Sequence, residues 1–348
     1  MLQVLNLNSN RLLQLPSSIG KLKELRHLNL GSIYAYNQLT SLPSEISNLC
    51  NLETLDLDRN QLTELPREIG NLKSLTRLSA VGNKLANVPS GIGNLENLTN
   101  LSFRMNCIEE VPAEIGKLKA LQILSLSTNR IRDLPSEIGL LASLTELWIE
   151  ENEITKLPPE VGNLSELVSL FSFSNRLTEL PPQIGKLRKL ENLQLNSNRL
   201  VLLPAEIAGL VQLSMLRLGN NRLNRIPSEI GQLKMLKSLR LDGNRLIELP
   251  QEIGQLAVLE ILHLHGNRVA DLPSTFGDLA SLNSLDLSNN RLADLPPEMG
   301  KLMALKTLNL RGNRLSVLPS AILKLENLNE LILCDNPVLE LDPKTERS

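Results

Sequence analysis

Aromatic residues are scarce in this chain: one tryptophan, two tyrosines and four phenylalanines among 348 residues. Each ring that does occur therefore stands out. Cysteine is scarcer still. Cys50, Cys107 and Cys334 are odd in number and far apart, which excludes a disulfide framework or a metal-binding spacing and suits a reducing compartment. Three histidines restrict general-base chemistry and catalytic triads. Neither sign of charge dominates: 36 basic residues face 38 acidic ones, for a net charge of −2. A general attraction to nucleic acid or to a membrane surface is thus not written into the composition. There is no apolar run behind an N-terminal basic segment, nor one of about 18 residues. The expectation is a soluble, cytoplasmic chain without membrane insertion. Glycine-lysine pairs such as Gly116-Lys117 and Gly300-Lys301 lack a glycine-rich lead and are not phosphate loops. No catalytic constellation or cofactor motif emerges, so neither an enzyme nor a cofactor is expected.

What the chain has in abundance is a repeat. One asparagine recurs at Asn10, Asn37, Asn60, Asn83, Asn106, Asn129, Asn152, Asn175, Asn198, Asn221, Asn244, Asn267, Asn290, Asn313 and Asn336, every step being 23 residues except the first, which is 27. Around it runs L-x-x-L-x-L-x-x-N-x-L-x-x-L-P-x-x-I-G-x-L, as in Leu52, Leu55, Leu57, Asn60, Leu62, Leu65, Pro66, Ile69, Gly70 and Leu72. The alternation in L-x-L buries one face of a short strand and leaves the other open. An asparagine amide has donors and an acceptor with which to satisfy backbone groups in the turn, and stacked asparagines could also satisfy one another. The L-P-x-E-I-G segment reads as a helical turn with proline at its first position, and glutamates such as Glu68 and Glu114 suit its positive end.

Strands stack at about 4.7–4.9 Å and packed helices at about 8–10 Å. The sheet is thus predicted to line the inside of a curve. The expected fold is an α/β repeat solenoid, a horseshoe with a parallel sheet on the concave face and short helical turns on the convex face. It spans 1–348 as one domain of fifteen units, with a four-residue insertion within 31–36 and a degenerate last unit at 325–348. Because the pattern starts inside a repeat at Met1, a fragment of a longer protein is expected.

This period and pattern resemble the leucine-rich repeat, and the L-P-x-x-I-G-x-L segment is similar to that of the Ras-group members, the Ras-suppressor-like scaffolds and plant intracellular Ras-group proteins. The resemblance covers essentially the full chain but rests on structural residues. It implies a cytoplasmic scaffold that binds proteins on its concave face, a Ras-family small GTPase or its effector and phosphatase complex among them.

The rings give the sharpest functional signal. Phe103 and Phe276 fall on positions the repeat buries. Trp148, Phe171 and Phe173 fall on the open strand face, with Glu146, Glu150, Arg104 and Met105 around them. That is a hydrophobic centre with a charged rim. Two outcomes are open at Phe171 and Phe173. Either both face the groove as partner anchors, or the strand slips by one residue and buries them in place of Leu170.

Arginine follows the asparagine in nine repeats, seven of them consecutive. Acids three residues later, Glu179, Glu248, Asp271 and Asp294, are placed to neutralise much of this column. Arg199 and Arg222 lack such an acid and form the candidate edge for an acidic partner. His263 and His265 share a face with Asp242 and Asp286, as a two-histidine, two-carboxylate metal site or as exposed neighbours. The insertion carries Tyr34 and Tyr36, a rim loop or a neutral bulge. The expected function is a non-enzymatic protein-binding scaffold. The alternative is the recognition segment of a larger multidomain receptor or signalling enzyme.

Overall fold

The computed structural model describes residues 2–31, 36–337 and the backbone of 340–341. The chain divides into two compact units, 1–176 and 177–348, each a stack of identical repeat units.

In the first unit, β1 (Val4–Asn6), β2 (His27–Asn29), β3 (Thr54–Asp56), β4 (Arg77–Ser79), β5 (Asn100–Ser102), β6 (Ile123–Ser125), β7 (Glu146–Trp148) and β8 (Ser169–Phe171) form parallel neighbours in chain order. The second unit repeats the plan with β9 (Asn192–Gln194), β10 (Met215–Arg217), β11 (Ser238–Arg240), β12 (Ile261–His263), β13 (Ser284–Asp286) and β14 (Thr307–Asn309). There β15 (Val317–Leu318) pairs with β17 (Glu340–Leu341), and β16 (Glu330–Ile332) pairs with β14. Within each unit the three-residue strands are in register with their neighbours, leucine on leucine: Leu55 opposite Leu78, Leu216 opposite Leu239. From β2 to β14 these leucines point into the core and are fully buried, as are Phe103 and Phe276, while Leu5 and Leu331 on the end strands are half-buried. The alternation expected from L-x-L is thus what builds the sheet.

The turn segments are single five-residue 3-10 turns, and among the described residues there is no α-helix. Proline sits one position earlier than expected. Pro66, with φ −61° and ψ 139°, is the cap rather than the first helical residue, and its carbonyl accepts the Ile69 N–H at 2.9 Å. Only Pro159, Pro182 and Pro297 occupy the first helical position, each behind a capping proline. The glycine of I-G has a packing reason: a Cβ on Gly116 would lie 2.5 Å from the Glu137 carbonyl oxygen of the next turn. The turns are pressed together along their backbones.

The asparagines bond backbone, not one another. Asn106 Nδ2 donates to the carbonyls of Phe103 (3.0 Å) and Ala80 (2.9 Å), while its Oδ1 accepts the Leu85 N–H at 3.0 Å. One amide therefore ties its own strand end to two points of the preceding repeat. From Asn37 to Asn313 every member of the series is buried, Asn37 at the insertion included. Asn10 is exposed and Asn336 half-buried, contrary to burial of the whole series.

Candidate functional site

The position between the two inward residues of each strand, leucines in most repeats, faces outward. Along the first unit that column reads Asp56, Ser79, Ser102, Ser125, Trp148 and Phe171, one residue per strand. Three serines in succession leave low ground, and a tryptophan then rises beside it. The result is a depression of about 310 Å³ over β4–β7, floored by Ser79, Ser102 and Ser125 and walled by Trp148 and Glu146, with Arg77 and Arg104 also lining it. The strand spacing predicts a floor roughly 10 Å wide. Sequence reasoning missed the serine floor, although reading the same column across repeats reveals it.

Trp148 is held upright. Its Nε1–H donates to Glu146 Oε2 at 2.9 Å, two residues back and so on the same face. Its indole stacks on the Phe171 ring with centroids 3.9 Å apart and planes at 23°. Leu147 stays opposite Leu170 and Trp148 opposite Phe171, and Leu170 and Ser172 are both fully buried. The strand does not slip. Keeping Leu170 inside and accepting a serine at the next inward position preserves the register set by the leucines. Exposure of Phe171 is nevertheless corrected: it retains only 9% of its surface, under the tryptophan. Trp148 and Phe173 are half-buried.

Charged groups frame the rings. Glu150 is 8% exposed and its Oε2 has no hydrogen-bond partner. Burial pushes its carboxyl above the ordinary range, and the neighbouring Glu151 adds to this, while its own backbone N–H, the Ser127 hydroxyl and the charge of Arg104 pull the other way. Arg104 is exposed, and Met105 keeps 42% of its surface.

A second row borders the site. The residue before each asparagine of the series except Asn37 takes a left-handed backbone conformation, which favours glycine. Glycine fills it at Gly82, Gly243, Gly266 and Gly312. Beside the aromatic stack the four consecutive occupants are Met105 (φ 57°), Thr128 (φ 55°), Glu151 (φ 56°) and Ser174 (φ 53°). A β-branched threonine there is a true outlier. Its hydroxyl donates to Glu151 Oε2 at 2.9 Å.

The expected neutralisation of the arginine column does not form: among the described residues Arg245, Arg268, Arg291 and Arg314 make no ion pair, and only Arg176 of the column does. Arg176 reaches back one repeat to Glu153 at 3.1 Å instead of forward to Glu179. Among the described residues Arg199 and Arg222 form no ion pair, and both are exposed. His265 Nδ1 lies 3.5 Å from Asp286 Oδ2, but no cluster of metal-ligand residues forms among the described residues. Tyr34 lies outside the described residues. Tyr36 is 49% exposed, and its hydroxyl oxygen accepts from Arg59 at 3.1 Å. No described helix is long and apolar enough to cross a membrane.

Comparison with known proteins agrees with this architecture. The family described as "Leucine-rich repeat region" matches residues 1–107, 101–176 and 224–290, and "Leucine rich repeat" matches 172–223 and 281–338. Among curated proteins none matches the chain. Among solved structures, a leucine-rich repeat protein of Leptospira interrogans is similar at 39% identity and a TM-score of 0.85, over 99% of this chain and 92% of that one. A TDR receptor is 28% identical with a TM-score of 0.76, over 98% of this chain and 67% of that one. The ectodomain of the Arabidopsis thaliana receptor kinase GASSHO1/SCHENGEN3, in complex with CASPARIAN STRIP INTEGRITY FACTOR 2, is 29% identical with a TM-score of 0.58, over 98% of this chain and 48% of that one. Leucine-rich repeat proteins are typically non-enzymatic scaffolds for protein interaction. With the family description matching most of its length and the Leptospira protein alike along nearly all of it, the chain belongs to the leucine-rich repeat family.

Proposed function

We propose that the chain is a non-enzymatic recognition module that binds a protein partner on the open strand face of its first unit. The observation that carries this reading is the single tryptophan, standing half-exposed at the edge of a serine-floored depression. An apolar or aromatic side chain of the partner packs on the free side of the indole, where burial of a ring is most productive. Arg77 and Arg104 suit an acidic group of the partner, and the unpartnered Glu150 oxygen suits a donor. Met105, Thr128, Glu151 and Ser174, which keep side chains in the left-handed row as most repeats do, offer further contact on the same face. Phe171 supports Trp148 from behind, and Phe173 extends the apolar rim. Hydrogen exchange on a complex with a selected binding protein tests this: slowed exchange over β4–β8 is expected, and slowing confined to the 3-10 turns would refute it.

The motif L-P-x-x-I-G-x-L supports a sharper form, a cytoplasmic Ras-group scaffold whose partner is a Ras-type GTPase or its effector and phosphatase complex. Capture from cytosol with and without a GTP analogue tests it, and nucleotide-independent capture of no GTPase would count against it. The likeness to a TDR receptor and to a receptor-kinase ectodomain along 98% of this chain favours a second reading, the recognition segment of a larger receptor or signalling enzyme. A full-length transcript with no kinase, GTPase or nucleotide-binding segment beside these repeats would remove that reading. The exposed Arg199 and Arg222 are an edge for an acidic partner. Reversing both charges is expected to slow association and flatten its salt dependence, and unchanged association at low salt would leave them a solvated edge. The 23-residue step from Asn175 to Asn198 is unbroken, which supports one repeat domain over 1–348. Two separate thermal transitions would argue against it.

A further inference from the structure

In the second unit the outward column reads Gln194, Arg217, Arg240, His263 and Asp286 on five successive strands. Two arginines and a histidine thus stand side by side, about 4.8 Å apart from strand to strand. All three are half-buried. The Nε atoms of Arg217 and Arg240 have lost their contact with solvent and have no hydrogen-bond partner. Like charges held together and partly stripped of water are unfavourable unless an anion joins them. The acids nearby meet that need only in part, and only at His263. Asp286 is engaged through Oδ1 by the Ser288 N–H and hydroxyl, and its Oδ2 lies 3.5 Å from His265 Nδ1. The Asp242 carboxylate lies over Gly219, in space that a Cβ there would take, and makes no ion pair among the described residues. Burial and the charge of Arg240 both lower the proton affinity of Arg217 and of His263, while Asp286 and Asp242 pull His263 only part of the way back.

We propose that Arg217, Arg240 and His263 form a binding site for one compact oxyanion, a phosphoryl group carried by a side chain of a protein partner. Guanidinium forks match the oxygens of such a group and bridge it from two sides. The width of the cationic window selects its occupant. It spans only three strands, roughly 10 Å, between neutral Gln194 and acidic Asp286. A segment with several carboxylates would lay some of them against Asp286 or Asp242, whereas a single dianion concentrates its charge where the two arginines are.

The experiment is a titration of the full chain followed by the Nε–H resonances of Arg217 and Arg240. The probes are inorganic phosphate, acetate, and a peptide with and without phosphorylation of its one serine. Saturable shifts with phosphate are expected, at least about tenfold weaker with acetate, and the phosphoserine peptide is expected to bind at least as tightly as the inorganic ion. Arg217→Met is expected to melt at or above the temperature of the unaltered protein and to lose the phosphate response. No saturable shift with phosphate, equal response to acetate, or indifference to peptide phosphorylation would each overturn the assignment. So would an undiminished response in folded Arg217→Met or Arg240→Met.

Discussion

Trp148 covers Phe171: the rings stack at 3.9 Å, leaving the phenylalanine nearly buried on a face that the repeat keeps open. The two residues therefore have different tasks, one presenting a surface and the other supporting it. Phe171→Ala should destabilise the protein, by about 0.5–1.5 kcal/mol from the lost ring pair and more from the space it leaves. It should also move the emission of the single tryptophan to the red. Trp148→Ala should cost less stability. Denaturant melts of the two variants check this, and equal losses would mean that Trp148 is as structural as Phe171.

Thr128 occupies a left-handed position that glycine fills in other repeats. A side chain there is strained by about 1–2 kcal/mol, offset in part by the roughly 0.5–1 kcal/mol that glycine loses in chain entropy. Thr128→Gly should leave stability unchanged or raise it by up to about 1 kcal/mol, while weakening a partner that covers this row. A loss of more than about 1 kcal/mol in a melt would make the threonine a structural residue.

Glu150 gives stability a pH dependence of definite sign. Burial raises its folded carboxyl above the ordinary value, so in the window above that value the folded state holds a proton that the unfolded chain releases. Its contribution is then least favourable at neutral pH and improves as pH falls through the window. Glu150→Gln should raise the melting temperature at pH 7, with the advantage gone below about pH 4. An advantage that persists unchanged at low pH would contradict an ionised, desolvated carboxylate.

Asn244 spans two repeats, donating to the Leu218 and Leu241 carbonyls at 2.9 and 3.0 Å and accepting the Leu223 N–H at 3.0 Å. Asn244→Leu leaves these buried groups without partners and should destabilise by at least about 1–3 kcal/mol. A change of a few tenths in a denaturant melt would mean that the ladder is dispensable.

The repeat made the fold legible, because each leucine and each asparagine has a position that physics assigns without reference to the rest of the chain. The same rule answered the register at Phe171, since slipping the strand would have exposed Leu170. What stayed hidden depends on neighbours in the next repeat. The stack of Trp148 on Phe171 follows from side-chain rotamers, and the pairing of Arg176 with Glu153 follows from how one repeat leans on another. The serine floor and the Arg217–Arg240 pair were both present in a column of the sequence. Only the observed desolvation and register gave that column meaning. The boundary after Arg176 leaves no mark in the 23-residue step.

The most direct test uses the single tryptophan as its own reporter. Peptides selected from a library against the full chain are titrated while Trp148 fluorescence is followed, and the affinities are then measured again on Trp148→Ala. Binding on the open face of β4–β8 predicts that the peptides change the emission and lose at least ~30-fold in affinity on the variant, the equivalent of about 2 kcal/mol for an interface anchor. Peptides that bind both proteins equally and leave the emission unchanged would place recognition elsewhere on the molecule.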